Sequence, residues 1–97
     1  MEANIINEKL TVLSKTLLKL RNVEEIKAFL EDLLTKSEQV SISSRLQIAD
    51  MLNSGVPYSQ IQRETGASSA TVAKVSDNLK YGKDGFKTAL ERLNKSR

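Results

Sequence analysis

The chain of 97 residues contains no cysteine and no histidine, one proline and four glycines. Without cysteine it can form neither a disulfide nor a thiolate metal site, which fits a reducing compartment. Without histidine the commonest general base and metal ligand are both missing. No stretch approaches the roughly 18 apolar residues of a membrane span. The N-terminal residues carry no signal-peptide-like apolar region. These absences lead to the expectation of a cytoplasmic protein with no membrane partner, no metal and no cofactor. Gly and Pro are too scarce for a turn-rich β fold, and no segment alternates with period two. Nor are there repeats or low-complexity linkers, so the fold class expected is all-α.

Catalysis finds little support. Acidic neighbours such as Glu24-Glu25 and Glu31-Asp32 point in different directions from a helix, and no apolar surroundings would shift their pKa values. They read as solvated surface, and the chain is not expected to be an enzyme.

Helical spacing recurs from end to end. Ile6, Leu10, Leu13, Leu17 and Leu20 form a heptad-like seam, flanked by Ile5, Val12 and Leu18. Its cover is either the rest of the same chain or a second copy. The second is favoured, because 97 residues make one domain (residues 1–97) with only a modest core. Asn22 followed by Glu25 reads as an N-cap, and Val23, Ile26, Phe29, Leu30, Leu33 and Leu34 form the next stripe. Thr35-x-x-Glu38 is a capping box that opens a helix with Ile42, Leu46, Ala49 and Leu52 on its apolar side. Asn53-Ser54-Gly55 ends it, and Val56-Pro57 turns the chain. A last helix follows Gly82-Lys-Asp-Gly85 and is expected to bury Phe86, Ala89, Leu90 and Leu93. Six helices result.

The net charge of +3 is small, but it is unevenly distributed. Residues 1–21 carry four basic and two acidic side chains, and residues 22–64 carry four and seven. Residues 65–97 carry seven basic and three acidic side chains, net +4. A solvated face enriched in lysine would give the same count, and so would a nucleic-acid partner.

The sequence from Tyr58 to Leu79 separates those readings. It forms two short helices broken at Gly66, a helix-turn-helix at about residues 58–80. Ile61 anchors the first helix, and Gly66 supplies the left-handed residue that ends it. Ala67 is a small residue for the turn, and Val72 and Val75 point one face of the second helix inward. The opposite face presents Ser69, Ala70, Ala73 and Lys74. Short side chains there allow close approach to base edges, while hydroxyls and the helix N-terminus suit phosphate. A helical hairpin with a glycine C-cap and no DNA role has the same spacing.

Three segments carry a resemblance: Arg45-Leu-Gln-Ile-Ala-Asp-Met-Leu52, Gly66-Ala-Ser-Ser-Ala-Thr-Val-Ala-Lys74 and Ser76-Asp-Asn-Leu-Lys80. Together they resemble the Trp repressor superfamily, whose helix-turn-helix is a standard example of the motif. Gly66-Ala-x-x-Ala-Thr71, Leu79-Lys-Tyr-Gly82 and Ala89-Leu-Glu-Arg-Leu93 look closer still to its YerC/YecD-type members. The resemblance covers the chain from about Leu30 onward; the N-terminal helix matches in character more than in letters. It implies a six-helix subunit in an intertwined homodimer that holds two reading heads on a pseudo-palindromic operator. Carried over by position, base reading would fall to Ser68, Ser69, Ala70 and Ala73, with Gln62 alongside. Tyr58, Thr71 and Lys74 would reach the phosphate backbone of double-stranded DNA.

The effector site implied by the resemblance transfers poorly. Trp repressors hold the indole between two arginines and over a glycine, with small hydroxyl residues on the amino acid's polar end. Here Thr35 and Arg45 match, but Lys74 stands for the second arginine, Val75 for the glycine and Asn78 for the serine. Lysine lacks the planar guanidinium that stacks on a ring, and Val75 would occupy the volume an indole needs. Thr35, Arg45, Lys74, Val75 and Asn78 are therefore expected to form a vestigial pocket that does not use tryptophan; the effector, if any, is unspecified. The functional expectation is a nucleoid-associated, DNA-binding transcription regulator, a repressor. The alternative is a helix-turn-helix protein-interaction module within a transcription or replication complex.

Overall fold

The structure is a computed structural model, and it describes residues 1–96. Among them all regular structure is helical: α1 (Glu2–Lys19), α2 (Val23–Leu33), α3 (Lys36–Asn53), α4 (Tyr58–Thr65), α5 (Ser69–Tyr81) and α6 (Gly85–Ser96). The residues fall into two compact units, one ending at Gln39 and the other starting at Val40.

The first unit has no fully buried side chain. Leu13, Leu17 and Leu20 from the α1 seam are half-buried, as are Ile26, Phe29, Leu30 and Leu34. Ile5, Ile6, Leu10, Val12 and Leu18 lie exposed on α1, Leu18 at 84%. The helix starts are fixed by side chains. Asn22 accepts a hydrogen bond from the Glu25 N–H at 2.9 Å, and Glu25 Oε1 accepts one from the Arg21 N–H at 2.8 Å. Thr35 and Glu38 exchange the reciprocal bonds of a capping box, at 2.9 and 3.1 Å. Glu38 is held below the usual glutamate range, chiefly because it accepts from the Thr35 backbone N–H and secondly because of the Thr35 side chain. Gln39 Nε2 donates to the Leu34 carbonyl at 3.0 Å, satisfying one of the orphan acceptors where α2 ends.

The second unit holds the core. Ile48 and Ala49 of α3, Ile61 of α4, Val72 and Val75 of α5 and Leu90 of α6 are buried. Met51, Leu52, Val56, Ala67 and Phe86 pack against them. Each large side chain that leaves water here contributes about 1.5–3 kcal/mol. Gly55, at φ 82°, closes α3: its N–H bonds the Leu52 carbonyl and the Val56 N–H bonds the Met51 carbonyl, both at 3.0 Å. That pair of bonds is a Schellman motif, which satisfies two carbonyls at the helix end.

The periodicity misjudged some faces. Ile48 is fully buried although the expected stripe ran through Ile42 and Leu46, which are 48% and 41% exposed. Of the four residues expected to be buried on α6, Leu90 is buried and Phe86 half-buried. Ala89 is exposed, and so is Leu93 at 40%. Ser76, which lies outside every apolar stripe, is buried at 4% exposure. An apolar residue signals a need for cover but does not say which neighbour supplies it.

Candidate nucleic-acid interface

Helices α4 and α5 are joined by the three residues 66–68 and share one core. Pro57, at φ −63°, precedes the first residue of α4, where its missing N–H costs nothing. Gly66 ends α4 in the left-handed region at φ 74°, and its N–H bonds the Gln62 carbonyl at 2.8 Å. Thr65 Oγ1 donates to the Ile61 carbonyl at 2.7 Å and accepts from the Ala67 N–H at 3.2 Å, which ties the turn to the helix it leaves. Ile61, Val72 and Val75 are 0%, 0% and 2% exposed, so the inner faces of both helices are locked against α3 and α6 residues.

Ser68 caps α5. Its Oγ accepts from the Thr71 N–H at 3.1 Å and donates to Thr71 Oγ1 at 3.0 Å. The exposed residues of the N-terminal half of α5 are Ser69, Ala70, Thr71, Ala73 and Lys74, small side chains with one cation; Asp77, Asn78, Lys80 and Tyr81 are exposed further along the helix. On α4, Tyr58 is 42% exposed and Gln62 half-buried. The N-terminal end of α5 combines free backbone N–H groups, hydroxyls and little steric bulk, a combination that suits close approach to a polyanion.

The cations of this half are only partly neutralised. Lys87 pairs with Asp84 at 3.8 Å and Lys95 with Glu91 at 3.1 Å. Both pairs are exposed and weak. Among the described residues, Lys74 and Arg45 take part in neither an ion pair nor a side-chain hydrogen bond.

A cavity of about 300 Å³ opens beside α5. Arg45 of α3, Lys74, Val75 and Asn78 of α5 line it, together with Ala70, Thr71 and Phe86. Four of the five residues expected for the effector pocket thus meet at one cavity. Thr35 does not line it; its hydroxyl is engaged in the cap of α3. Val75 is part of the wall and of the core, and its branched side chain leaves the cavity open beside it. Phe86 was expected only as a core residue. Its position one residue after Gly85 places it where α6 begins, and this wall of the cavity depends on tertiary structure.

Among the described residues no helix is long and apolar enough to cross a membrane, and no acidic, histidine or cysteine cluster could hold a metal ion.

The sequence profile of the Trp repressor protein family matches residues 8–94. The chain is 41% identical over 86 residues to the uncharacterised protein YerC of Bacillus subtilis, covering 89% of this chain and 83% of YerC. A crystal structure of a candidate Trp repressor from Staphylococcus aureus superposes with a TM-score of 0.83 at 40% identity, covering 90% of this chain and 87% of that one. A TrpR-like protein from Eubacterium eligens gives a TM-score of 0.84 at 37% identity, covering 90% of each chain. Six helices in this order, a helix-turn-helix at Gly66 and a match over nearly the whole length agree on one assignment: the chain belongs to the Trp repressor family.

Proposed function

We propose that this protein is a bacterial, sequence-specific DNA-binding transcription regulator, a repressor that binds a palindromic operator as a homodimer. The observation that carries this reading is α5. Its inner face is anchored by Val72 and Val75, its start is capped by Ser68, and the exposed residues of its N-terminal half are Ser69, Ala70, Thr71, Ala73 and Lys74. Such a helix presents a narrow, rigid ridge to a major groove. In this reading Ser69, Ala70 and Ala73 meet base edges, with Gln62 alongside, while Tyr58, Thr71 and Lys74 hold phosphate. Ser68 belongs to the same surface and also fixes the helix start.

The exposed α1 residues Ile5, Ile6, Leu10 and Leu18 support the dimer. So many exposed apolar side chains on one helix suit an interface better than a solvated face. Regulation without tryptophan is supported by Lys74, which borders the cavity and lacks the planar guanidinium that stacks on an indole. The protein would act in the cytoplasm, on the nucleoid.

The test is binding to duplex DNA followed by fluorescence anisotropy over a range of salt. A DNA regulator shows affinity that falls linearly on a logarithmic salt scale, and Lys74→Ala lowers the slope by about one unit per subunit. Absence of measurable duplex affinity at low salt would instead favour a protein-interaction module. A monomer in light scattering at micromolar concentration would remove the dimer.

A further inference from the structure

We propose that Asp84-Gly85, between α5 and α6, is a site of spontaneous covalent modification, where the chain rearranges through a succinimide to isoaspartate. Ring closure needs a side-chain carboxyl beside an amide nitrogen that is unhindered and unbonded, and several observations meet there. Of the four glycines only Gly85 follows an aspartate or asparagine. It has no side chain to shield its nitrogen, and a Cβ built on it would meet nothing within 4 Å. Its N–H belongs to the first turn of α6 and has no acceptor among the described residues.

The carboxylate is equally unrestrained. Among the described residues Asp84 alone, apart from glycines, has a positive φ, 62°, a region in which a Cβ is crowded. Its side chain caps no N–H there; its partner is Lys87 Nζ at 3.8 Å, with Asp84 74% and Lys87 52% exposed. A pair so exposed is weak. The Thr88 N–H donates to the Asp84 carbonyl at 2.9 Å and ties the segment to α6. Fraying of that first-turn bond lets the Asp84–Gly85 peptide rotate and relieves the left-handed backbone at the same time.

In the reaction the Gly85 nitrogen attacks Asp84 Cγ. A C–N bond forms, the nitrogen gives up its proton, and the carboxyl oxygen leaves as water, closing a cyclic imide. Water then opens the imide at either carbonyl. Opening at the main-chain carbonyl routes the chain through the side chain and frees the α-carboxyl, giving isoaspartate; opening at the other restores aspartate. Water is released once and taken up once, so the mass is unchanged and no oxidant or cofactor enters. The product lengthens the main chain by a methylene directly ahead of Phe86, which packs on the core. The site stands whether or not the protein binds DNA.

The experiment ages the full-length folded protein at physiological temperature and neutral pH, beside a sample held in urea. An isoaspartyl methyltransferase with labelled S-adenosylmethionine measures isoaspartate at intervals. Mass spectrometry locates it as an isobaric, separately eluting form of the peptide that contains Asp84. The expected result is steady accumulation at Asp84 in the folded protein, at a rate comparable with that in urea. Gly85→Ala should lose most of it, and Asp84→Ser, which keeps a capping residue, should lose all of it. Circular dichroism verifies that both variants are folded. Accumulation in urea alone, no accumulation in either sample, or an undiminished rate in Gly85→Ala would overturn the site.

Discussion

Ser68 and Thr71 are joined twice: the Ser68 Oγ accepts the Thr71 backbone N–H at 3.1 Å and donates to the Thr71 hydroxyl at 3.0 Å. The pair closes the N-terminal turn of α5, the part of the helix that would face DNA. Two properties of Ser68 can therefore be separated, its contribution to folding and its presence on a phosphate-facing surface.

Ser68→Ala removes the cap and should cost about 1 kcal/mol, lowering Tm by about 4–8 °C for a domain of this size. Ser68→Asp keeps a capping oxygen and adds a charge that the helix N-terminus favours. It should hold Tm near wild type while weakening duplex affinity through repulsion from phosphate. Thermal melts and anisotropy on both variants check this. Equal affinity of Ser68→Asp and wild type would move the DNA surface away from α5.

The capping box of α3 makes a pH prediction. Glu38 accepts hydrogen bonds as a carboxylate, so its folded pKa lies below its unfolded value. A depressed carboxylate adds stability that is fully present above the unfolded glutamate pKa and is lost as pH falls through the folded one. Glu38 is solvent-exposed, and the effect is small. Urea midpoints measured from neutral to acid pH should decline less in Glu38→Gln than in wild type. Parallel declines would mean that the Thr35–Glu38 bonds do not persist in solution.

Gly66 and Gly82 end their helices for different reasons, and alanine tells them apart. At Gly66, φ 74°, an added Cβ meets nothing within 4 Å, so Gly66→Ala should cost only the left-handed backbone penalty of about 1 kcal/mol. At Gly82 a Cβ would collide with the Asn78 carbonyl oxygen, which is backbone and cannot swing aside. Gly82→Ala should be the more destabilising of the two in urea denaturation, and it should shift the Asn78 resonances at the cavity.

Much of this architecture was legible because its signals are local. The Asn22–Glu25 and Thr35–Glu38 caps are each made within one helical turn, and Gly55 and Gly66 adopt the positive φ that their positions require. The inward pair Val72 and Val75 followed from one helix and one spacing. What stayed hidden depends on contacts far apart in sequence. Whether Ile48 or Leu46 faces the core is decided by α4, α5 and α6 packing onto α3, and Phe86 reaches the cavity only because α6 does. Four residues of the expected pocket converged, but the space left beside Val75 is a volume, and no residue pattern encodes a volume directly.

The central claim is that α5 reads duplex DNA without tryptophan, and selection of bound sequences from a random duplex library tests it most directly. The selection is run with and without added tryptophan, on wild type and on Ala73→Asp, whose charge would sit on the outer face of α5. The predicted result is enrichment of one two-fold symmetric motif, the same in both conditions and absent for Ala73→Asp. No enrichment over the input library, or a motif that appears only with tryptophan, would contradict it.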